Sequence, residues 1–227
     1  MAEQLTFDLP AVEARGLGDF FVSPSNQAAY SMIEGWQAWP GNKLILSGPA
    51  GSGKTHLAHV WAGLSGAHIL RAADLEEADI QALAGQCAMV EDAEDVAGDA
   101  GLENALFHLH NLVLAEGGSL LVTARGAPSR WGLALPDLAS RMKAAPIATL
   151  QTPDDMLLAV VLVKLFSDRQ ITVPPNLITY LTLRMDRSLA AASKLVARLD
   201  ALALAENRPV TRALAARVLD NRDETGA

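Results

Sequence analysis

The octet at positions 48–55 limits what this chain can fold into more than any other segment. It matches the phosphate-binding pattern G-x-x-x-x-G-K-[ST] with the residues Gly48, Pro49, Ala50, Gly51, Ser52, Gly53, Lys54 and Thr55. Glycines let successive backbone N–H groups turn inward around a phosphate, at φ values that residues with a Cβ avoid. In such a loop the lysine reaches the β- and γ-phosphates, and the threonine hydroxyl ligates Mg²⁺. The octet therefore predicts a nucleotide site with Mg²⁺ at Thr55.

The residues on either side of the octet have the secondary structure that a phosphate-binding loop requires. Residues 43–47 form an apolar run typical of a buried strand, and residues 54–64 are typical of a helix whose N-terminal dipole faces the phosphates. A glycine-rich turn that binds nothing is the alternative. The order strand, loop, helix favours nucleotide binding.

The pattern between residues 43 and 150 alternates between strands and helices, which favours a parallel sheet with helices on both faces. Buried strands are predicted at 43–47, 68–70, 87–90, 119–123 and 147–150, and helices after the P-loop helix at 74–83 and 102–116. The predicted fold class is therefore α/β, with a parallel sheet flanked by helices.

Helices alone are predicted from residue 151 onward. Thr152 has the form of an N-cap, and its helix should run to about Phe166. Further helices begin at Pro174 and near Pro209, and between them an apolar stripe recurs at spacings of three and four, formed by Leu189, Ala192, Val196, Leu199 and Ala203. We therefore divide the chain into a flexible tail (1–15), a nucleotide-binding α/β domain (16–150) and a small all-helical lid domain (151–227).

The charge of the chain argues against direct DNA binding. The net charge of −8 divides into −9 for residues 1–150 and +1 for residues 151–227, so neither part has the basic excess that a phosphate backbone favours. The single cysteine, Cys87, excludes an internal disulfide and fits a reducing cytosol. Because the sequence has neither an apolar run of about 20 residues nor a signal peptide, we expect a cytoplasmic protein with no membrane partner.

Two adjacent acids, Glu91 and Asp92, follow the apolar residues 87–90. At this place in a P-loop ATPase the first acid holds Mg²⁺ and the second polarises the attacking water. Solvated loop acids are the alternative, and the preceding P-loop favours the catalytic interpretation. Asp is commoner than Glu in the first place, and the short Asp92 suits water activation poorly, so we expect slow turnover.

Two further polar residues follow in the order expected of a nucleotide-hydrolysing site. Thr123 ends a predicted strand, from which its hydroxyl can reach the γ-phosphate or its water. Arg141 lies in a short helical stretch after it, where an oligomeric ATPase can present an arginine to a neighbour's γ-phosphate. Arg125 and Arg130 lie nearer Thr123 in sequence and compete for local roles.

The first fifteen residues contain three apolar side chains, Leu5, Phe7 and Leu9, close after Gln4. A flexible tail is the default expectation for such a terminus. Exposed apolar side chains are costly without a purpose, however, and short linear docking motifs have this form. An inert tail and a docking motif are the two alternatives.

In combination these motifs resemble the AAA+ class of P-loop proteins, and within it the Hda family of DnaA-related regulatory inactivators. Residues 47–58, which continue past the P-loop with His56, resemble the P-loop of the DnaA branch. Residues 137–141 resemble its arginine-finger motif, and residues 19–26 resemble the segment that leads into the core near the base. The chain ends soon after the predicted lid without a helix-turn-helix domain, and this ending together with the tail makes Hda the nearer resemblance.

The resemblance implies an AAA+ domain that carries ADP or ATP with Mg²⁺, with His56 joining the P-loop residues at the nucleotide. It implies that the DNA polymerase sliding clamp (β subunit) receives the tail in a hydrophobic pocket, through Gln4, Leu5, Phe7 and Leu9. Docked there, the protein would contact ATP-bound DnaA through their AAA+ modules. Arg141 would then help trigger hydrolysis by DnaA and so limit re-initiation of chromosome replication. Homo-oligomers through the same AAA+ face are a further expectation.

One position departs from the pattern of this class. Its sensor II arginine matches Ala190 here, and Arg187, on nearly the same helix face one turn earlier, is a candidate replacement. Together with the order of Glu91 and Asp92, this departure implies weak or absent ATPase activity of the protein's own. Three functions stay open: a regulatory adaptor that stimulates a partner's hydrolysis, an independently active ATPase such as a DnaC-like helicase loader, and a nucleotide-bound structural partner.

Overall fold

A computed structural model describes residues 20–220 of the chain. The α-helices of this range are α1 (Gln27–Glu34), α2 (Lys54–Ser65), α3 (Ala100–Ala115), α4 (Pro136–Lys143), α5 (Asp155–Asp168), α6 (Pro175–Thr182), α7 (Leu189–Ala205) and α8 (Arg212–Asp220). The strands are β1 (Lys43–Ser47), β2 (His68–Arg71), β3 (Ala88–Glu91), β4 (Leu120–Ala124) and β5 (Ile147–Thr149). Within this range, no helix combines the length and the apolarity that crossing a membrane requires.

The five strands form one parallel sheet in the order β2-β3-β4-β1-β5, which confirms the predicted α/β fold class. β1 lies between β4 and β5, with Ile45 opposite Val122 on one side and Ile147 on the other. Because all strands run the same way, their carboxyl ends meet at one edge of the sheet. The P-loop follows β1 at this edge, and the two acids lie at the end of β3.

Alternating side chains build one core on each face of the sheet. In β1, Leu44 and Leu46 pack with Trp61 of α2, whereas Ile45 belongs to the core that contains Leu106 of α3. This alternation follows from the two-residue period of a strand. Helices α1 and α2 therefore cover one face, and α3 and α4 cover the other.

Helices α5–α8 bury an apolar core of their own, whose fully buried members lie between residues 158 and 218. The predicted apolar stripe of α7 faces this core: Ala192, Val196 and Leu199 are buried, while Leu189 and Ala203 pack at its margin. This core and the cores on the sheet have few apolar side chains in common. Helices α5–α8 therefore form a helical layer of their own, which follows the α/β part in the sequence.

One helix prediction is wrong. In place of one α-helix over residues 74–83, the chain forms two 3₁₀ turns, Ala72–Asp74 and Ile80–Leu83, joined by an irregular segment. The Asp79 carboxylate accepts the Ala82 N–H at 3.3 Å and so begins the second turn separately. Aspartate side chains compete in this way with the hydrogen bonds of a continuous helix.

The start of α5 also differs from the prediction. The cap is Asp154 instead of Thr152, because the Asp154 carboxylate accepts the Leu157 N–H at 2.8 Å. Pro153 therefore precedes the cap, and the helix continues to Asp168, slightly past the predicted end.

Candidate nucleotide-binding site

The phosphate-binding loop joins β1 to α2 at the carboxyl edge of the sheet. Gly51 and Gly53 have φ angles of +71° and +100°, in the region that favours glycine, and α2 begins immediately afterwards at Lys54. A Cβ on Gly48 would come within 2.7 Å of the Leu150 carbonyl oxygen, so this position also needs glycine. The backbone thus has the shape that the start of a phosphate-binding helix requires.

The Lys54 side chain lies beneath this loop and is buried. Its ammonium donates to the carbonyl oxygens of Gly48 at 2.8 Å and Pro49 at 3.0 Å. Burial lowers the pKa of Lys54; the negative charges of Asp92 and Glu94 oppose this effect, and Arg125 adds to it. The ammonium is therefore held at the loop, with two acids near it.

The start of α7 packs directly on the P-loop. The Leu189 N–H donates to the Gly51 carbonyl oxygen at 2.8 Å, and a Cβ on Gly51 would overlap the Ser188 side chain. Ser188 also caps α7, since its hydroxyl accepts the Ala191 N–H at 3.3 Å. This contact joins residues more than a hundred positions apart in the sequence.

Arg187 is a candidate replacement for the sensor II arginine only if it shares a helix face with Ala190. The structure shows that this expectation is wrong. Because α7 begins at Leu189, Arg187 precedes the helix. Its guanidinium lies 2.7 Å from the Asp155 carboxylate and donates to the Pro153 carbonyl at 3.2 Å. Arg187 therefore ties the start of α7 to the start of α5.

Asp92 and Thr123 come together at the carboxyl ends of β3 and β4. The Thr123 hydroxyl accepts the Asp92 N–H at 3.0 Å, and only 1% of Thr123 is exposed. Asp92 has a left-handed backbone conformation (φ 52°, ψ 49°), and its charge acts on Lys54. Thr123 thus fixes the backbone that carries an acid beside the P-loop lysine.

Glu91 projects toward the same helix as the P-loop threonine. Its buried Oε1 accepts no hydrogen bond and lies 3.5 Å from His59 Nε2. His59 lies one helical turn after Thr55 on α2, so the carboxylate reaches the helix face that carries the Thr55 hydroxyl. Mg²⁺ binds to proteins through one or two oxygen side chains together with nucleotide phosphates, and this pair fits that role. In the described part of the chain, no group of three or more His, Cys, Asp or Glu could hold a metal ion.

Sequence reasoning missed Glu94, a third acid at this edge. Glu94 Oε1 accepts the Arg125 N–H at 2.9 Å, its Oε2 is buried without a hydrogen bond, and its charge acts on Lys54. Glu94 and Arg125 line a cavity of about 350 Å³ together with Gly126, Arg130 and Trp131. The four acids within residues 91–95 were the available signal, since such a run exceeds what two catalytic positions need.

Aromatic residues stack beside the start of α2. The Phe20 ring stacks on His56 at a centroid distance of 5.5 Å and on Tyr30 at 5.4 Å. Phe20 belongs to the segment whose resemblance predicted a place near the base, and His56 belongs to the predicted nucleotide-binding set. The structure thus brings these two regions together beside the P-loop.

This segment is also tied to the start of α5. The Asp154 carboxylate accepts the Ser25 N–H at 3.2 Å, and the Gln151 N–H donates to the Ser25 carbonyl at 3.0 Å. Burial raises the pKa of Asp154, but hydrogen bonds from Leu157, Ser23 and Ser25 outweigh it and lower that pKa below its usual value. An ionised Asp154 therefore links the segment before α1 to the C-terminal helices.

Arg141 lies far from the chain's own P-loop lysine. It is exposed on α4, and its guanidinium is 5.4 Å from the centroid of the Phe107 ring. Its positive charge contributes to the lowered pKa values of Lys43 and His110, so both residues lie near it. Lys43 is the first residue of β1, whereas the P-loop follows the last residue, about 13 Å further along the strand. Arg141 therefore lies near the end of β1 opposite the P-loop.

Comparison with known proteins relates the chain to replication initiators. No protein-family model matches the sequence. The chain is 25% identical over 231 aligned positions to the chromosomal replication initiator protein DnaA of Thermomicrobium roseum, an alignment that covers 90% of this chain and 49% of DnaA. The chain thus spans about half the length of the curated relative it matches.

Solved structures show the same fold. Domain III of DnaA from Thermotoga maritima superimposes with a TM-score of 0.76 at 19% identity, covering 89% of this chain and 94% of that domain. AMPPCP-bound DnaA from Aquifex aeolicus gives 0.67 at 16% identity over 80% of this chain and 63% of that one. A RuvB mutant from Thermotoga maritima gives 0.68 at 16% identity, over 88% and 70%. The chain therefore has a DnaA-like AAA+ fold.

Proposed function

We propose that this protein is a nucleotide-bound AAA+ adaptor of the Hda type, which stimulates ATP hydrolysis by the replication initiator DnaA and so limits re-initiation of chromosome replication. In this proposal Arg141 acts in trans as the arginine finger. The DNA polymerase sliding clamp binds the tail through Gln4, Leu5, Phe7 and Leu9. The protein's action takes place in the cytoplasm.

The position of Arg141 is the observation that carries this proposal. Its guanidinium forms no ion pair with any residue of the range 20–220, and its neighbours Lys43 and His110 supply no negative charge. An exposed arginine without a carboxylate partner can bind the developing charge on a partner's γ-phosphate. DnaA is the proposed partner because the relatives of this fold include DnaA, and AAA+ modules associate through similar faces.

The protein's own site fits ADP or ATP as a bound ligand. The P-loop residues and Lys54 would hold the phosphates, Thr55 and Glu91 would hold Mg²⁺, and the stacked pair of His56 and Phe20 would contact the base. Bound Mg²⁺ would supply positive charge beside the phosphates. The contact of Ser188 and Leu189 with the loop links this site to the C-terminal helices. We propose that the bound nucleotide stabilises the contact between the α/β part and the C-terminal helices.

The test is DnaA-dependent ATP hydrolysis in the presence of DNA-loaded sliding clamp. Arg141→Ala should abolish the stimulation, whereas Lys143→Ala should leave it intact, because Lys143 is an exposed basic residue on the same helix. A Gln4→Ala/Leu5→Ala double variant should lose clamp binding by calorimetry and retain nucleotide binding. Stimulation by Arg141→Ala equal to wild type would contradict the finger role.

A second candidate is an independently active ATPase such as a DnaC-like helicase loader. The placement of Asp92 by Thr123, beside Lys54, favours it, because a pure adaptor has no need of an acid fixed at its own phosphates. Steady ATP turnover by the isolated protein, lost in Asp92→Asn, would support this candidate. An absence of turnover together with stimulation of DnaA would support the adaptor.

A further inference from the structure

No carboxylate of residues 20–220 forms an ion pair with Arg141, yet a residue that acts across an interface needs a defined direction. The guanidinium lies over the Phe107 ring at 5.4 Å, and Phe107 is half-buried on α3. Such cation–π contacts orient a guanidinium while leaving its N–H groups free for an anion. Lys43 lies near the same guanidinium, and its pKa is lowered by burial and then by Arg141.

The start of α4 is held by a buried carboxylate. Glu103 is 1% exposed, and its two oxygens accept three backbone N–H groups: Gly98 at 3.0 Å, Ala134 at 3.0 Å and Leu135 at 2.6 Å. Burial raises the pKa of Glu103, but these three donors outweigh it and lower that pKa below its usual value. The ionised carboxylate therefore fixes the two residues that lead into α4.

Glu103 and Phe107 are four residues apart on α3, so they lie on the same helix face. One holds the backbone just before α4, and the other contacts Arg141 near the end of α4. α4 has only eight residues, a length at which an isolated helix is unstable. Its orientation therefore depends on the sixteen-residue α3 beside it.

We propose that this positioning face, Glu103 and Phe107 of α3, sets the direction in which Arg141 is presented to a partner's nucleotide. Both are positioning residues, since neither touches the reacting atoms. The inference rests on the proposed function, because the direction of Arg141 affects hydrolysis only if Arg141 acts on a partner's nucleotide. The geometry that it requires is a property of this chain alone and can be measured without a partner.

The first test measures maximal DnaA hydrolysis as a function of the concentration of this protein. Phe107→Leu keeps an apolar side chain but removes the ring, and it should lower the maximal rate by about tenfold while the half-saturating concentration changes by less than about twofold. Phe107→Tyr should restore at least half of the wild-type rate. His108→Ala, on the exposed side of α3, is the matched control and should equal wild type.

The second test needs no activity. The side-chain N–H resonance of Arg141, assigned by its loss in Arg141→Lys, should carry a ring-current shift in wild type that disappears in Phe107→Leu. Glu103→Gln offers one acceptor oxygen instead of two, so it should broaden this resonance and lower the maximal rate. Thermal unfolding of each variant separates loss of position from loss of fold.

The outcomes separate the inference from the proposed function. A wild-type maximal rate in folded Phe107→Leu, with Arg141→Ala inactive, overturns the positioning role. An Arg141 resonance that is identical in wild type and Phe107→Leu also overturns it. Full stimulation by Arg141→Ala contradicts the finger role itself, and the resonance comparison then still decides whether the face holds the side chain.

Discussion

The two ends of β1 carry opposite arrangements of charge. At the carboxyl end, the Lys54 ammonium lies near the acids Asp92 and Glu94. At the amino end, Lys43 and Arg141 lie together beside an uncharged His110, and neither cation forms an ion pair within the described range. Under the proposed function, this difference keeps two roles apart on one small sheet. The balanced end suits a ligand of the chain's own, and the unbalanced end suits an anion on another molecule.

The two ends are also supported differently. Backbone shape supports the carboxyl end, through the P-loop glycines and the hydrogen bond that the Asp92 N–H donates to the Thr123 hydroxyl. Side chains of a neighbouring helix support the amino end, through Glu103 and Phe107. Variants at one end should therefore leave the other end unchanged.

The largest effect is expected for Lys54→Ala. Removing this ammonium should weaken ADP binding by more than about 100-fold, equivalent to about 3 kcal/mol, because it supplies the positive charge that donates to the loop at Gly48 and Pro49. Calorimetry with ADP and Mg²⁺ measures this loss. Lys43→Ala, the matched lysine at the other end of the strand, should change the affinity by less than about twofold. Equal losses in both variants would show that the two ends are coupled.

Gly51→Ala should strain the joint between the P-loop and the C-terminal helices. The φ of +71° and the overlap with Ser188 should together lower the free energy of unfolding by about 2 to 3 kcal/mol in urea titrations. Gly63→Ala is the control, because its Cβ would meet open space within α2 and should stabilise the protein by about 0.5 to 1 kcal/mol. A neutral Gly51→Ala would mean that α7 does not press on the loop in solution.

The amino end should show its own pH dependence. Burial lowers the pKa of His110 to about 4, Lys43 and Arg141 add to this, and the hydrogen bond to Asn111 opposes it. As the pH falls, the unfolded histidine binds a proton at about pH 6.5, whereas the folded histidine stays neutral until about pH 4. The stability that the neutral His110 provides is therefore complete above pH 6.5 and is lost as the pH falls through 4. Between pH 7 and 4.5 the loss should reach about 2 kcal/mol in wild type and should shrink in His110→Gln.

Urea titrations across this pH range measure the difference between the two proteins. The lowered pKa values of Glu103 and Asp154 act in the same direction, mostly below pH 4.5, so the contribution of His110 is taken from the difference between the two proteins. Parallel curves for wild type and His110→Gln would contradict a buried neutral histidine.

The smallest effect is expected for Thr123→Val. Valine keeps the shape but leaves the Asp92 N–H without its acceptor, which should cost about 1 kcal/mol of stability. Thr123→Ser keeps the hydroxyl and should lose less. Unfolding and ADP affinity measured together show whether Asp92 moves. An unchanged Thr123→Val would mean that water satisfies this N–H equally well.

Local pattern predicted much of the fold. The P-loop and the five strands follow from the glycine spacing and from short apolar runs, and all five strands lie within one or two residues of their predicted bounds. Residues 74–83 failed because Asp79 starts a new turn, a competition that helix periodicity does not show. Glu94 was missed because an acid in a run of acids has no distinctive spacing, and only packing brought it near Lys54.

The sequence by itself determined a phosphate-binding-loop pattern between a strand and a helix of a parallel α/β sheet, because both features are encoded in short stretches of residues. Only the tertiary structure decided that the start of α7 closes on Gly51, that Arg187 leaves the helix to meet Asp155, and that α3 supports Arg141 through Glu103 and Phe107. These contacts join residues about 30 to 140 positions apart. Their partners are chosen by the packing of whole helices against the sheet, which no local period specifies.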